Sequence, residues 1–384
     1  MACVSWQADI TMTHSSILLR LRRLCFAPIV FAIWVSPGEA VDVEVSRHAV
    51  VMGTVIEVEV SARDRETAVG ASQAAIDAVE AVDRRLSTWR ERSELSRLNR
   101  AAPGTLITIS PELEADLRIA RYWWMETKGL FDPGVASLVT AWDLRGGGRL
   151  PSSSEMVSAR AASGFEHVVI QPGFAGRSVA GFGVEEGGFG KGIALRDAAE
   201  SALEARASCV VIDLGGQVMV SGACGTRGID IAHPRQRDDV MARLHLRSGS
   251  TATSGNSERG VVVDGVSYGH LLDPTTGRPA ADWGAVTVVA SDPVAADCLA
   301  TALFVMGPRR GAEWLRDRPG IEAVFAETDG ESTIITATPG LRGRLVVFEE
   351  TPRYLPPLLG IDEAGERKNL EIAGGTPAHQ IKKG

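Results

Sequence analysis

An acidic residue inside an apolar helix constrains this chain more than any other feature. Asp292-Pro293 has the form of an N-cap followed by a first helical residue, and Ala295 to Met306 is the apolar body of that helix. Asp297 and Thr301 stand four residues apart and so share one helix face. A buried carboxylate must be paired or must bind a metal. Two readings are open. One is a capping or buried hydrogen-bond pair; the other is a hard-cation site, since oxygen ligands suit Mg²⁺ or Ca²⁺. The residues just upstream are dense in turns. Val261 to Tyr268 carries a hairpin signature, with Asp264-Gly265 as its turn. His270 stands at the strand end, and Asp273-Pro274-Thr275-Thr276-Gly277-Arg278-Pro279 is a tight loop. Trp283 to Ala290 is an apolar strand expected to be buried on both faces.

The N-terminus has the pattern of a secretion signal. Arg20, Arg22 and Arg23 form a basic region, Leu24 to Val35 an apolar one, and Ala40 a small residue fit for cleavage. The apolar run is shorter than an ordinary membrane span, and an uncleaved anchor is the alternative. Of five cysteines, Cys3 and Cys25 belong to this presequence. The remaining three, Cys209, Cys224 and Cys298, give no disulfide framework and no zinc spacing; a Cys209–Cys224 bridge is open in an oxidising compartment. A formal net charge of −8 argues against non-specific nucleic-acid binding.

Between the ends, Val43 to Val60 forms two strand-like runs split by Met52-Gly53-Thr54. Ala68 to Leu86 is helical, with Ala74, Ile76, Val79, Val82 and Leu86 on one stripe. Trp89 follows in a polar loop, where it is a packing lid or a ligand contact. Ser110-Pro111 starts a helix that Gly129 ends. Asp132, before Pro133, is held extended and either caps the next helix or faces a ligand. Trp142 to Gly148 is a glycine-rich surface loop, and Phe165 to Ile170 a strand. Glu185 to Gly192 is glycine-rich, contains Lys191, and precedes a helix from Ile193 to about Ala205 whose N-terminus would suit an anion. It matches neither a Walker loop nor a dinucleotide fingerprint. Asp213 ends a buried strand before Gly215-Gly216, and Arg318 to Pro339 holds a last strand pair turning at Asp329-Gly330. Residues 351–384 are rich in proline, glycine and charge, and are expected to be a poorly ordered tail.

Eight blocks together resemble the ApbE family of flavin transferases, in that family's order over roughly residues 45–348: M-G-T at 52–54, S-T-W-R…S-E-L-S-R-L-N at 87–99, F-D-P-G-V at 131–135, G-K-G at 190–192, D-L-G-G at 213–216, A-T-S-G at 252–255, Y-G-H-L-L-D-P-T-T-G-R-P at 268–279 and A-D-C-L-A-T-A-L-F-V-M-G at 296–307. The resemblance implies an α+β fold (T-fold-like), with helices on largely antiparallel sheets around a flavin cleft. The catalytic domain would span 41–350. It implies Mg²⁺-dependent transfer of the FMN moiety of FAD to a Ser or Thr hydroxyl of a partner protein, with release of AMP. FAD hydrolysis to FMN and AMP, or flavin binding without turnover, are the alternatives. The acceptor would be a membrane redox-complex subunit or a periplasmic flavoprotein, and the location the periplasm or cell envelope. The oligomeric state is left open.

By position, the resemblance puts Met52, Trp89, Leu130, Phe131, Asp132, Glu185, Lys191 and Leu272 on FAD, and Asp297, Thr301 and the Gly188 carbonyl on the metal. His270 and Asp213 would lie near the reacting phosphates as candidate bases. Three positions depart from the family pattern. Glu185 replaces the usual aspartate, Gly188 the usual alanine or threonine, and Ala300 an aspartate seen in some members.

Overall fold

Period-two burial builds the first hairpin. In the computed structural model, Val43–Val51 and Thr54–Ala62 pair antiparallel, and Ile56, Val58, Val60 and Ala62 face the core with no exposure. Met52 and Gly53 both take positive φ, 52° and 72°, as a two-residue turn that matches strand twist requires. The structure describes residues 42–256, 260–330, 332–348 and 353–355. The expected secretion signal and nearly all of the expected tail lie outside them.

One nine-stranded sheet organises residues 43–354. Its strand order follows the chain: 43–51, 54–62, 209–214, 217–222, 249–255, 284–290, 322–329, 332–337 and 353–354. Neighbours are antiparallel except the last pair, where Arg353–Tyr354 runs parallel to Ser332–Ala337. That pair extends the sheet past residue 350, where the catalytic domain was expected to end. The α+β expectation holds. Every insertion between strands returns to the growing edge of the sheet. The longest insertion carries helices α1 (Arg65–Leu86), α2 (Glu94–Arg100), α3 (Pro111–Glu126), α4 (Ala136–Trp142), α5 (Ser153–Ala161) and α6 (Gly190–Glu204). A later one is α7 (Pro293–Leu315).

α1, α6 and α7 cover one face of the sheet. The other face is covered by a small sheet of Arg227–Ala232, Val240–Leu246 and Leu345–Val347, through Ile231, Met241, Leu244 and Leu246. Gly284–Ala290 lies between the two layers and is buried at every position, as its mostly apolar run requires; its one polar side chain, Thr287, pairs with the Thr253 hydroxyl at 2.8 Å.

Several local expectations shift. The buried stripe of α1 uses Ala75 where Ala74 was expected. Phe165–His167 is a 3₁₀ turn, and the strand begins at Val168, because Phe165 plugs the core with no exposure. α7 breaks at Gly307 (φ 75°), where Pro308 has no N–H to continue the ladder, and resumes to Leu315. Cys209 and Cys224 form a disulfide across one strand–turn–strand unit; Cys298 is a buried free thiol.

Candidate active site

α6 and α7 cross where no side chain fits. A Cβ on Gly192 would lie 2.6 Å from the Pro293 carbonyl oxygen and 2.6 Å from Val294 Cα. Glycine there lets the first turns of both helices meet. At the crossing, the Gly192 N–H donates to Asp297 Oδ2 at 2.8 Å. Asp297 is 6% exposed. Burial raises its carboxyl to about 6, opposed by the Lys191 charge and by the N–H groups of Gly192 and Lys191. Asp297 is thus a cap for α6 through one oxygen. α6 itself begins at Gly190, three residues earlier than expected, so Lys191 sits in its first turn.

Thr301 lies one turn along the same face. A Cβ on Gly188 would lie 3.1 Å from Thr301 Oγ1 and 3.2 Å from Phe131 Cε2. Gly188, Asp297 and Thr301, from two segments a hundred residues apart, therefore converge. Lys191 acts electrostatically on both Asp297 and Asp213. Asp213 Oδ1 accepts the Gly216 N–H at 2.7 Å and fixes the glycine turn. Burial raises its carboxyl, Glu57 across the ladder adds to that, and Gly216 and Lys191 oppose it. Gln217 was not singled out from the sequence. Its Nε2 donates to the Pro293 carbonyl at 3.0 Å, while its buried Oε1 has no hydrogen-bond partner.

A second group of nominated residues surrounds this crossing. Met52 Cε would lie 3.5 Å from a Cβ on Gly190, which places the hairpin turn beside the start of α6. Asn99 pins Val184 through both amide atoms, at 2.9 and 2.8 Å, and so sets the loop that carries Glu185. The Glu186 carboxylate accepts the Thr88 N–H at 3.0 Å and its hydroxyl at 2.6 Å, beside Trp89. Trp89 is 68% exposed and is no packing lid. Glu185 is pushed up to about 7 by burial, with Glu186 adding and Arg145 opposing. Arg145 comes from the glycine-rich loop that was read as plain surface. No periodicity marks it, and its partners are distant in the chain.

Asp132 Oδ1 accepts the Gly134 N–H at 2.7 Å, and Oδ2 accepts Trp124 Nε1–H at 3.1 Å. Burial still raises it to about 7, and Glu166 adds to the shift. Asp132 also borders a cavity of about 540 Å³ shared with Trp124, Lys128, Arg160, Pro274 and Thr275, which joins its loop to the one following His270. Leu130 is half-buried beside it. Phe131 is 1% exposed and packs edge-on against Phe189. Leu272 packs with Leu138 and Trp142. The side chains of Phe131 and Leu272 are therefore core groups, so a ligand would meet them through backbone. His270 lies half-buried at the bend after the Gly260–Val263/Val266–Gly269 hairpin. Asn256 packs on Gly269 beside it, and its buried amide atoms have no hydrogen-bond partner.

The model of the ApbE family matches residues 52–325. A protein of Treponema pallidum (strain Nichols) named FAD:protein FMN transferase is 30% identical over 337 residues, covering 81% of this chain and 91% of that protein. A Rhodobacter capsulatus protein of the same name is 32% identical over 324 residues; this chain spans 59% of its length. The crystal structure of an ApbE protein from Thermotoga maritima superposes with a TM-score of 0.70 at 29% identity, covering 76% of this chain and 96% of that one. The family match, the fold and the converging blocks agree: the chain belongs to the ApbE family.

Proposed function

We propose that this protein transfers the FMN moiety of FAD to a Ser or Thr hydroxyl of an acceptor protein and releases AMP. The observation that carries the reading is the α6–α7 crossing. There Asp297 takes the N–H of Gly192, Thr301 stands one turn along the same face against Gly188, and the Lys191 charge acts on Asp297, which together support a cation and phosphate site. A dinucleotide pyrophosphate is doubly anionic, and the crossing offers it the N-terminus of α6, the Lys191 charge and oxygen ligands for a neutralising cation. The names of the relatives support the same activity.

The donor set fits Mg²⁺. Among the described residues no group of three or more His, Cys, Asp or Glu could hold a metal. A site with one carboxylate suits a cation that keeps waters and takes substrate phosphates. The orphaned Gln217 Oε1 beside the crossing is an acceptor that a bound water or ligand would satisfy. Asp297, Thr301 and the Gly188 carbonyl would hold the cation, which would neutralise the pyrophosphate and polarise its phosphorus. The chain does the rest. Lys191 adds a positive charge beside the pyrophosphate. The acceptor oxygen bonds to the FMN-side phosphorus as the bond to AMP breaks. His270 takes the hydroxyl proton, with Asp213 as the competing base.

We also place the protein in the periplasm or cell envelope, acting on a membrane redox-complex subunit or periplasmic flavoprotein. The signal-like N-terminus and the Cys209–Cys224 disulfide support that location. The test is incubation of the protein with FAD and Mg²⁺, with and without an acceptor bearing a Ser/Thr motif. Matched AMP release and FMN mass gain on the acceptor supports the proposal. Free FMN and AMP with an unmodified acceptor means a hydrolase, and FAD left intact throughout means a binding protein.

A further inference from the structure

Arg145 ties together two loops that carry nominated flavin contacts. Its guanidinium carbon lies 4.6 Å from the Trp89 ring centroid. The same group donates to Glu185 Oε2 and Thr88 Oγ1, and to the Thr88 carbonyl at 3.4 Å. Its carbon lies over the indole, while its nitrogens hold a carboxylate and a hydroxyl. A planar fork does both at once; an ammonium does not.

The loop that presents Arg145 is built to hold it still. Asp143 ends α4 in the left-handed region (φ 52°), its carbonyl accepts the N–H groups of Gly146 and Gly148, and its carboxylate accepts that of Gly147. A Cβ on Gly146 would lie 2.6 Å from that carboxylate, so glycine there lets the carboxylate fold back over the turn. Trp142 anchors the base of the loop through its Nε1–H, which donates to the Gly277 carbonyl at 2.9 Å. The far end of the loop touches the hairpin that leads to His270: a Cβ on Gly148 would meet Val261 at 2.4 Å.

We infer that Arg145 is a positioning residue of the flavin-nucleotide site: it fixes the exposed Trp89 ring and the Glu185 carboxylate in one geometry. The inference rests on the flavin reading of that site. It also gives Glu185 a structural reason: the extra methylene, relative to aspartate, is reach toward Arg145. Without the guanidinium, Trp89 keeps its exposure but loses its fixed face, and Glu185 is left half-buried beside Glu186 without its cation.

The test measures FAD affinity by equilibrium dialysis, and KM and kcat for AMP release, on the full chain. The variants are Arg145→Gln, Arg145→Lys, Glu185→Gln and the Arg145→Gln/Glu185→Gln double. Arg149→Ala, on the same loop but paired with Glu155, is the loop control. Arg145→Gln is expected to weaken FAD binding about tenfold, the scale of one charge-assisted hydrogen bond, and to raise KM more than it lowers kcat. Arg145→Lys should not recover the loss, and the double variant should be no weaker than the weaker single, because the two residues act as one unit. Arg149→Ala should bind FAD like the parent. Parent-like affinity in Arg145→Gln, full rescue by lysine, or additive losses would each overturn the inference. If the parent protein binds no FAD, the flavin reading itself fails.

Discussion

Asp297 holds two roles on two oxygens. One oxygen caps α6 through Gly192; the proposal gives the other to the cation. Alanine removes both and should cost stability by about 1 kcal/mol from the lost cap alone. Asparagine keeps an oxygen for the Gly192 N–H and removes the charge, so Asp297→Asn should unfold like the parent and transfer nothing. Asp132 makes a pH prediction. Its folded pKa, about 7, lies above the ordinary 3.8. The folded state therefore binds this proton more tightly, and the contribution is present below pH 3.8 and lost as pH rises to about 7. Asp132→Asn should cost stability at low pH, because its amide N–H would face a donor, and the cost should shrink between pH 4 and 7. Denaturant melts across that range check it, and a difference constant with pH contradicts it. Asp297 was visible in the sequence because a charge interrupts an apolar run. Arg145 was not. A glycine-rich loop has no period, and its partners Glu185 and Thr88 lie 40 and 57 residues away.

The elements that build the site are ones whose local preferences are weak. Gly190 and Gly192 are poor helix formers, which is why the sequence alone places the start of α6 at Ile193. What extends the helix is tertiary: Asp297 receives its N-terminus, and Pro293 leaves room for no Cβ at position 192. Gly192→Ala should therefore destabilise the protein by about 1–3 kcal/mol through overpacking, despite alanine's better propensity, and should lower transfer as the crossing opens. A thermal melt equal to or above the parent's would contradict this. Elements with strong local signals were legible: the Asp264-Gly265 turn and the Ser110 and Asp292 caps stand where the residues put them, while the turn expected at Asp329-Gly330 falls one residue later, because Asp329 still pairs with Ser332. The 3₁₀ turn at Phe165–His167 was not, since an apolar run does not reveal that its first member is a plug.

At the scale of the molecule, the sheet keeps chain order and the insertions carry the chemistry. That order brings residues near 52, 131, 188, 213 and 297 to one end of a helix pair. The family's ordered blocks reveal the fold before any strand register is known. The disulfide needed the register: Cys209 lies opposite Gly222, two residues short of Cys224. Closing a loop of separation 15 should stabilise the protein by about 2–3 kcal/mol. Cys224→Ser should lower the denaturant midpoint accordingly, and an unchanged midpoint would show that the bridge adds nothing. The central claim is that the α6–α7 crossing is a cation and pyrophosphate site. Its most direct measurement is FMN mass gain on an acceptor, followed across a Mg²⁺ titration for the parent and Asp297→Asn. The account predicts Mg²⁺-dependent transfer with equimolar AMP for the parent, and none for a variant that melts at the same temperature. Normal transfer by Asp297→Asn at limiting Mg²⁺ would contradict it.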